Sequence, residues 1–182
     1  LDKWDVSNKE NMQYMFNYSK SFNQNINEWK VSNVENMSYM FNKASFFNQP
    51  LDKWDVSKVK NMEYMFRYCH RFNQSINSWN VSNVKEMSRM FENCFNFNQP
   101  LNDWNLYSLK FFNRMLCNCP FLKSNAPSFP IEHMDTLDYP YNGTKDDDSD
   151  FSNESAYEED YDDDYDDEYD DEYNDNYTDK ES

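Results

Sequence analysis

Glycine is almost absent from this chain: one residue, Gly143, in 182. A phosphate-cradling loop needs several glycines so that the backbone can approach the anion, and that family of nucleotide sites is excluded. Turns must therefore be made by other residues. Asn, which is abundant here, can serve where φ is positive or where a side chain must hydrogen-bond the backbone. Histidine is equally scarce, with only His70 and His133, and neither stands in a nucleophile motif. No apolar run approaches the roughly 18 residues of a membrane span, and no signal peptide is visible. The chain begins at Leu1, inside a repeat, so further residues are expected upstream. These shortages point to a chain with no enzyme activity, no cofactor and no metal.

Charge is plentiful but uneven. The net charge is −17, yet residues 1–145 hold 16 Lys+Arg against 14 Asp+Glu, whereas residues 146–182 hold one Lys against 20 Asp+Glu. A nearly neutral body of +2 is thus followed by a segment of −19. Such a polyanion argues against nucleic-acid binding. It is expected to be disordered and solvated, with capture of a basic protein as its functional alternative. Tyr recurs there every fourth residue from Tyr157 to Tyr177. The intervening Asp and Glu repel one another at helical spacing, which disfavours a helix.

The body is repetitive. Trp stands at 4, 29, 54, 79 and 104, a strict period of 25. Val6, Val31, Val56, Val81 and Leu106 form another column, and Met15, Met40, Met65, Met90 and Met115 a third. A small residue recurs at Ser19, Ala44, Cys69, Cys94 and Cys119. A fixed period of this length marks a stack of supersecondary units that cannot bury their apolar faces singly. Within a unit two spacings alternate. Trp29 and Val31 are two apart, as on a half-buried strand. Val34, Met37, Met40, Phe41 and Ala44 follow at 3, 3, 1 and 3, as on one face of a helix. Ser7/Glu10 and Ser32/Glu35 have the form of capping boxes before it.

The expected architecture is an α/β solenoid of five 25-residue strand–turn–helix rungs over residues 1–125. A C-terminal cap over 126–141 and a disordered acidic tail over 142–182 complete it. Opposite charges should meet between adjacent rungs, with Asp5, Lys30 and Asp55 in one column and Lys3, Glu28 and Lys53 in the next.

The recurring pattern Phe-Asn-Gln-x-[Ile/Leu]-x-x-Trp-x-Val-Ser-x-Val-x-x-Met-x-x-Met-Phe resembles the repeat of the BspA-like leucine-rich-repeat surface proteins, found in bacteria, mycoplasmas, protists and large DNA viruses. The resemblance covers residues 1–125. It implies a leucine-rich-repeat-like fold, a cell-surface, secreted or virion-associated location and, for some members, adhesion or host-protein binding. It implies no catalytic residues. The bacterial lipobox and cell-wall sorting signal are not among these residues.

Other constellations have plain structural readings. Cys69, Cys94 and Cys119 share a column and lie at disulfide-compatible spacing, but fill a small buried position. The Met-x-x-Met-Phe stripe and the Trp column read as core. Asn23, Asn48, Asn73 and Asn98 read as a hydrogen-bonding ladder that serves the turns. The candidate partner-binding face is the polar side of the strand columns: Asn27, Glu28, Lys30, Asp52, Lys53, Asp55, Asn77, Ser78 and Asn80. The function expected is non-enzymatic protein binding or surface adhesion. The alternatives are an intracellular acidic-tail protein that captures basic partners and a structural spacer with no ligand of its own.

Overall fold

A computed structural model describes residues 4–120 and 123–130 of the protein. The expected acidic tail, the cap from Ile131 onward, and Lys3, Phe121, Leu122 and His133 lie outside the described residues. The described residues belong to a unit spanning Leu1–Ser149.

Backbone hydrogen bonds set the register at one repeat. In repeat two, the N–H groups of Met37, Tyr39, Phe41 and Lys43 donate to the carbonyls of Asn61, Glu63, Met65 and Arg67 at 2.8–2.9 Å. The alternate residues close turns on their own repeat: Met40 N–H donates to Met37 C=O, Asn42 to Tyr39 and Ala44 to Phe41. Bonds also run the other way, from Lys60 N–H to Glu35 C=O and from Lys85 to Lys60. Parallel bridge pairs link Asn11, Asn36, Asn61, Glu86 and Phe111 in succession. The backbone N–H groups of this segment thus divide between local turns and the neighbouring repeat, with Ser38 N–H taken by Asn36 Oδ1 at 2.9 Å, as burial demands.

This geometry differs from the local expectation. Of residues 34–44, whose apolar spacing suggests a helix, 37–44 form consecutive turns and Asn36 makes the parallel bridge. Their alternate N–H groups point to the next repeat rather than to the carbonyl four residues back. Tyr39 and Lys43 adopt φ of 58° and 60°, which no α-helix tolerates. The same two positions are left-handed in every repeat: Tyr14 and Tyr18, Tyr64 and Tyr68, Arg89 and Asn93, Arg114 and Asn118. Each stands third in a four-residue turn, where positive φ ordinarily calls for Gly or Asn. Asn takes only two of these ten places; Tyr, Lys and Arg take the rest. The parallel pairing lies on the Asn11 column rather than at Trp29 and Val31, whose spacing suggests a strand; Trp29 N–H closes a turn on Ile26 C=O at 3.1 Å. Among the described residues the one helix is a 3-10 turn, Lys123–Asn125. Glu35 meets Lys60 at 2.6 Å instead of capping a helix.

The core is a spine of rings. Phe16, Phe41, Phe66 and Phe91 stack at 5.5–5.6 Å, and Phe22, Phe47, Phe72 and Phe97 stack beside them at 5.6–6.0 Å. The two rows touch at 3.9–4.2 Å. Offset stacking of this kind adds to the area that each ring buries. The Met columns pack against them and are fully buried from Met37 to Met115. Three buried indoles tie their repeats to the previous one: Trp54, Trp79 and Trp104 donate Nε1–H to the carbonyls of Ile26, Leu51 and Ile76 at 2.9–3.1 Å.

The expected Asn ladder is present. Asn23 Oδ1 accepts from Asn48 N–H and Gln49 Nε2, and the pattern recurs at Asn48 and Asn73. At the C-terminal side, Leu101 N–H donates to Asn125 C=O, Pro127 is buried, and Phe129 stacks on Phe112 at 5.2 Å.

Candidate functional site

The face expected from sequence is occupied largely with holding repeats together. Asn27 is buried; its Nδ2 donates to Asp52 at 3.0 Å and its Oδ1 accepts Lys53 N–H at 3.1 Å. Asn77 repeats this with Asp103. Glu28 and Lys53 form the expected inter-repeat ion pair, which lowers the Glu28 carboxyl and raises the Lys53 ammonium from their ordinary values. Asp55 and Asn80 accept the N–H groups of Ser57 and Ser82 two residues on, fixing local turns. The hydrogen bonds from Ser57 hold the Asp55 carboxyl below its usual range. Lys30, Asp52 and Ser78 are exposed beside them.

A second surface was not anticipated. The left-handed turn positions carry side chains out of the stack, and there Tyr14, Tyr39 and Tyr64 stack at 4.8 and 4.5 Å. Arg89 and Arg114 occupy the same column in the next two repeats. One column over, Asn42 donates to Asn17 at 2.9 Å, and then Arg67 and Glu92 replace the Asn pair. Glu92, only 2% exposed, takes Arg67 Nε at 2.7 Å on Oε2 and Arg114 Nε at 2.8 Å on Oε1, with Arg89 at 3.8 Å. The guanidinium of Arg67 lies 5.2 Å from the Tyr64 ring and 4.7 Å from the Tyr68 ring. Lys43 lies over Tyr18 at 4.6 Å and Tyr68 at 5.6 Å. Buried carboxylates persist only when paired, so Glu92 fixes three arginines from three repeats on one point. On its flank the Glu63 carboxyl is pushed up by burial and by Glu86, against the pull of Arg89.

The sequence signal for this surface was its departure from the repeat. Column 14 changes from Tyr to Arg after the third repeat, and column 17 changes from Asn to Arg after the second and to Glu after the third. Reading for what recurs passes over such changes. His70 stands next to the surface, stacked on Phe95 at 4.9 Å and edge-on to Tyr68 at 6.1 Å. Burial lowers its pKa, and its Nε2 has no hydrogen-bond partner among the described residues.

The remaining groups offer little chemistry. Cys69, Cys94, Cys117 and Cys119 are buried, and no disulfide joins them to one another. The thiols of Cys69, Cys94 and Cys119 donate to the carbonyls of Phe41, Phe66 and Phe91 at 2.8–2.9 Å. A cleft of about 300 Å³ is lined by Glu35, Lys58, Lys60, Asn83 and Lys85, but Lys58 and Lys60 are engaged by Asn33 and Glu35. Among the described residues no group of three or more His, Cys, Asp or Glu could hold a metal ion. No helix among them is long and apolar enough to cross a membrane.

A chain whose backbone and side chains are paired at a fixed offset of one 25-residue unit is a repeat protein. The model of the family described as Mycoplasma protein of unknown function, DUF285, matches residues 1–93 and 47–154, and the chain belongs to that family. No curated protein and no solved structure matches it.

Proposed function

We propose that the five repeats wind as one leucine-rich-repeat-like solenoid, in which consecutive turns replace the helix, and that the protein binds a protein partner without catalysing a reaction. The observation that supports this most is the one-repeat offset of the backbone ladder, which sets equivalent side chains of successive repeats in rows. A row of this kind binds by adding many weak contacts along its length. Adhesion at a cell or particle surface is the setting that the resemblance to BspA-like proteins suggests.

The test uses the full chain, immobilised, against a panel of purified extracellular-matrix proteins at 0.15 and 0.5 M salt. A partner retained in part at the higher salt supports binding by the repeats, because screening there shortens the reach of charge to a few ångström. A full-length version with the Asp and Glu of 146–182 replaced by Asn and Gln should bind the same partner. Loss of every partner in that version, with basic proteins predominating among those lost, would instead favour the acidic-tail reading.

A further inference from the structure

We propose that the arginine–tyrosine side of repeats two to five, centred on Arg67, Arg89 and Arg114, is an interaction surface for an acidic polypeptide segment in which carboxylates alternate with apolar side chains. The proposal deepens the protein-binding reading and rests on it. Three observations carry it.

The first is a charge surplus. Lys43, Arg67, Arg89 and Arg114 gather around three carboxylates, Glu92 and the flanking Glu63 and Glu86. One positive charge remains in excess, whereas the carboxylates Glu28 and Glu35 each pair with a single lysine, Lys53 and Lys60.

The second is geometry. Glu92 engages Arg67 and Arg114 through Nε. The forked terminal nitrogens of Arg67 and Arg89 make no hydrogen bond to a described residue. A guanidinium fork matches a carboxylate with two parallel hydrogen bonds, and holding its plane beforehand reduces what binding must order. Tyr64 and Tyr68 hold that plane for Arg67, and Tyr64 lies 5.6 Å from Arg89.

The third is the apolar setting. Tyr18, beneath Lys43, and Phe95, stacked on the His70 that lies edge-on to Tyr68, stand 57% and 44% exposed. A surplus of one charge, with two guanidinium forks beside exposed rings, suits scattered carboxylates with apolar neighbours. A polysulfated chain would call for a denser field of cations.

The probe is a labelled twelve-residue peptide alternating Glu with Phe and Leu, with a Gln-for-Glu peptide and a heparin fragment as comparison arms. Binding is measured on the full-length protein with the carboxylates of 146–182 replaced by amides, which removes long-range repulsion by the −19 segment. Lys43→Gln/Arg89→Gln leaves both short Glu92 bonds in place and should weaken the Glu peptide tenfold or more. Arg67→Lys, which keeps the charge but loses the fork, should weaken it several-fold. Lys30→Gln/Lys53→Gln, the same charge change in the columns of the Glu28–Lys53 pair, should alter it less than twofold. Equal losses from both double variants would overturn the proposal, since general attraction would explain them. Equal binding of the Gln peptide, or tighter binding of heparin through the same arginines, would also overturn it. A matrix partner that binds the Lys43→Gln/Arg89→Gln variant unchanged would remove this surface while leaving the protein-binding reading standing.

Discussion

Replacing Trp54 by Phe tests the coupling between repeats with an internal control. Trp54 is 4% exposed and donates Nε1–H to Ile26 C=O at 3.0 Å, 28 residues earlier. Ile26 C=O also accepts Trp29 N–H at 3.1 Å, so the substitution does not orphan the carbonyl. The loss is then one net hydrogen bond, about 0.5–1.5 kcal/mol. The smaller ring leaves roughly 40 Å² of apolar surface unfilled, about 1 kcal/mol more. Together these predict a cost of about 1.5–2.5 kcal/mol. Trp4, in the same column, is 55% exposed, and Trp4→Phe should cost under about 0.5 kcal/mol. Urea unfolding of the full chain, followed by far-ultraviolet circular dichroism, measures both. Equal costs would mean that the indole bond does not join the repeats, and the reasoning would fail.

Three further outcomes follow from the same geometry. Glu92→Ala removes the partner of Arg67 and Arg114; the usual 3–5 kcal/mol for breaking a buried pair falls to about 2–3 kcal/mol because Arg114 is half-exposed, and Glu28→Ala should leave the urea midpoint unchanged. A Glu92→Ala protein as stable as the parent would contradict the clustering. Burial holds the His70 pKa below its ordinary value, so the unfolded chain takes up the proton first as pH falls. The stability of the parent relative to His70→Phe should therefore decline from about pH 7 downward through the ordinary histidine range, and level off below the folded pKa. A difference that is flat or rises with acid would refute this. Burial pushes the thiols of Cys69 and Cys94 well above their ordinary value, and both should resist a thiol reagent at pH 8 until urea unfolds the chain. Prompt modification of all four cysteines in the native protein would overturn their burial.

The repeat register, the apolar columns, the Asn ladder and the small Cys column were legible because each is a property of side-chain type at a fixed period. The path of the backbone between them was not. Spacings of 3, 3, 1 and 3 from Val34 to Ala44 suit a helix face and a run of turns equally, since both bring every third or fourth residue inward. What separates them is where the N–H of Phe41 goes, and no side chain reports that. Left-handed φ at Tyr39 and Lys43 was hidden for a related reason: neither residue favours that region, and the stacking of each repeat on the next imposes it. On the predicted face the Glu28–Lys53 pair was legible from charge alternation. Burial of Asn27 was not, because polar residues are ordinarily exposed. The cluster at Glu92 escaped because it is built from exceptions to the repeat.

The central claim is that each repeat gives alternate backbone N–H groups to the next one. Scalar couplings through hydrogen bonds, read by NMR on deuterated full-length protein, identify donor and acceptor directly. The account predicts correlations from Phe41 N to Met65 C′ and from Phe66 N to Met90 C′. Correlations from Phe41 N to Met37 C′ and from Phe66 N to Met62 C′ would show helices in their place and contradict it.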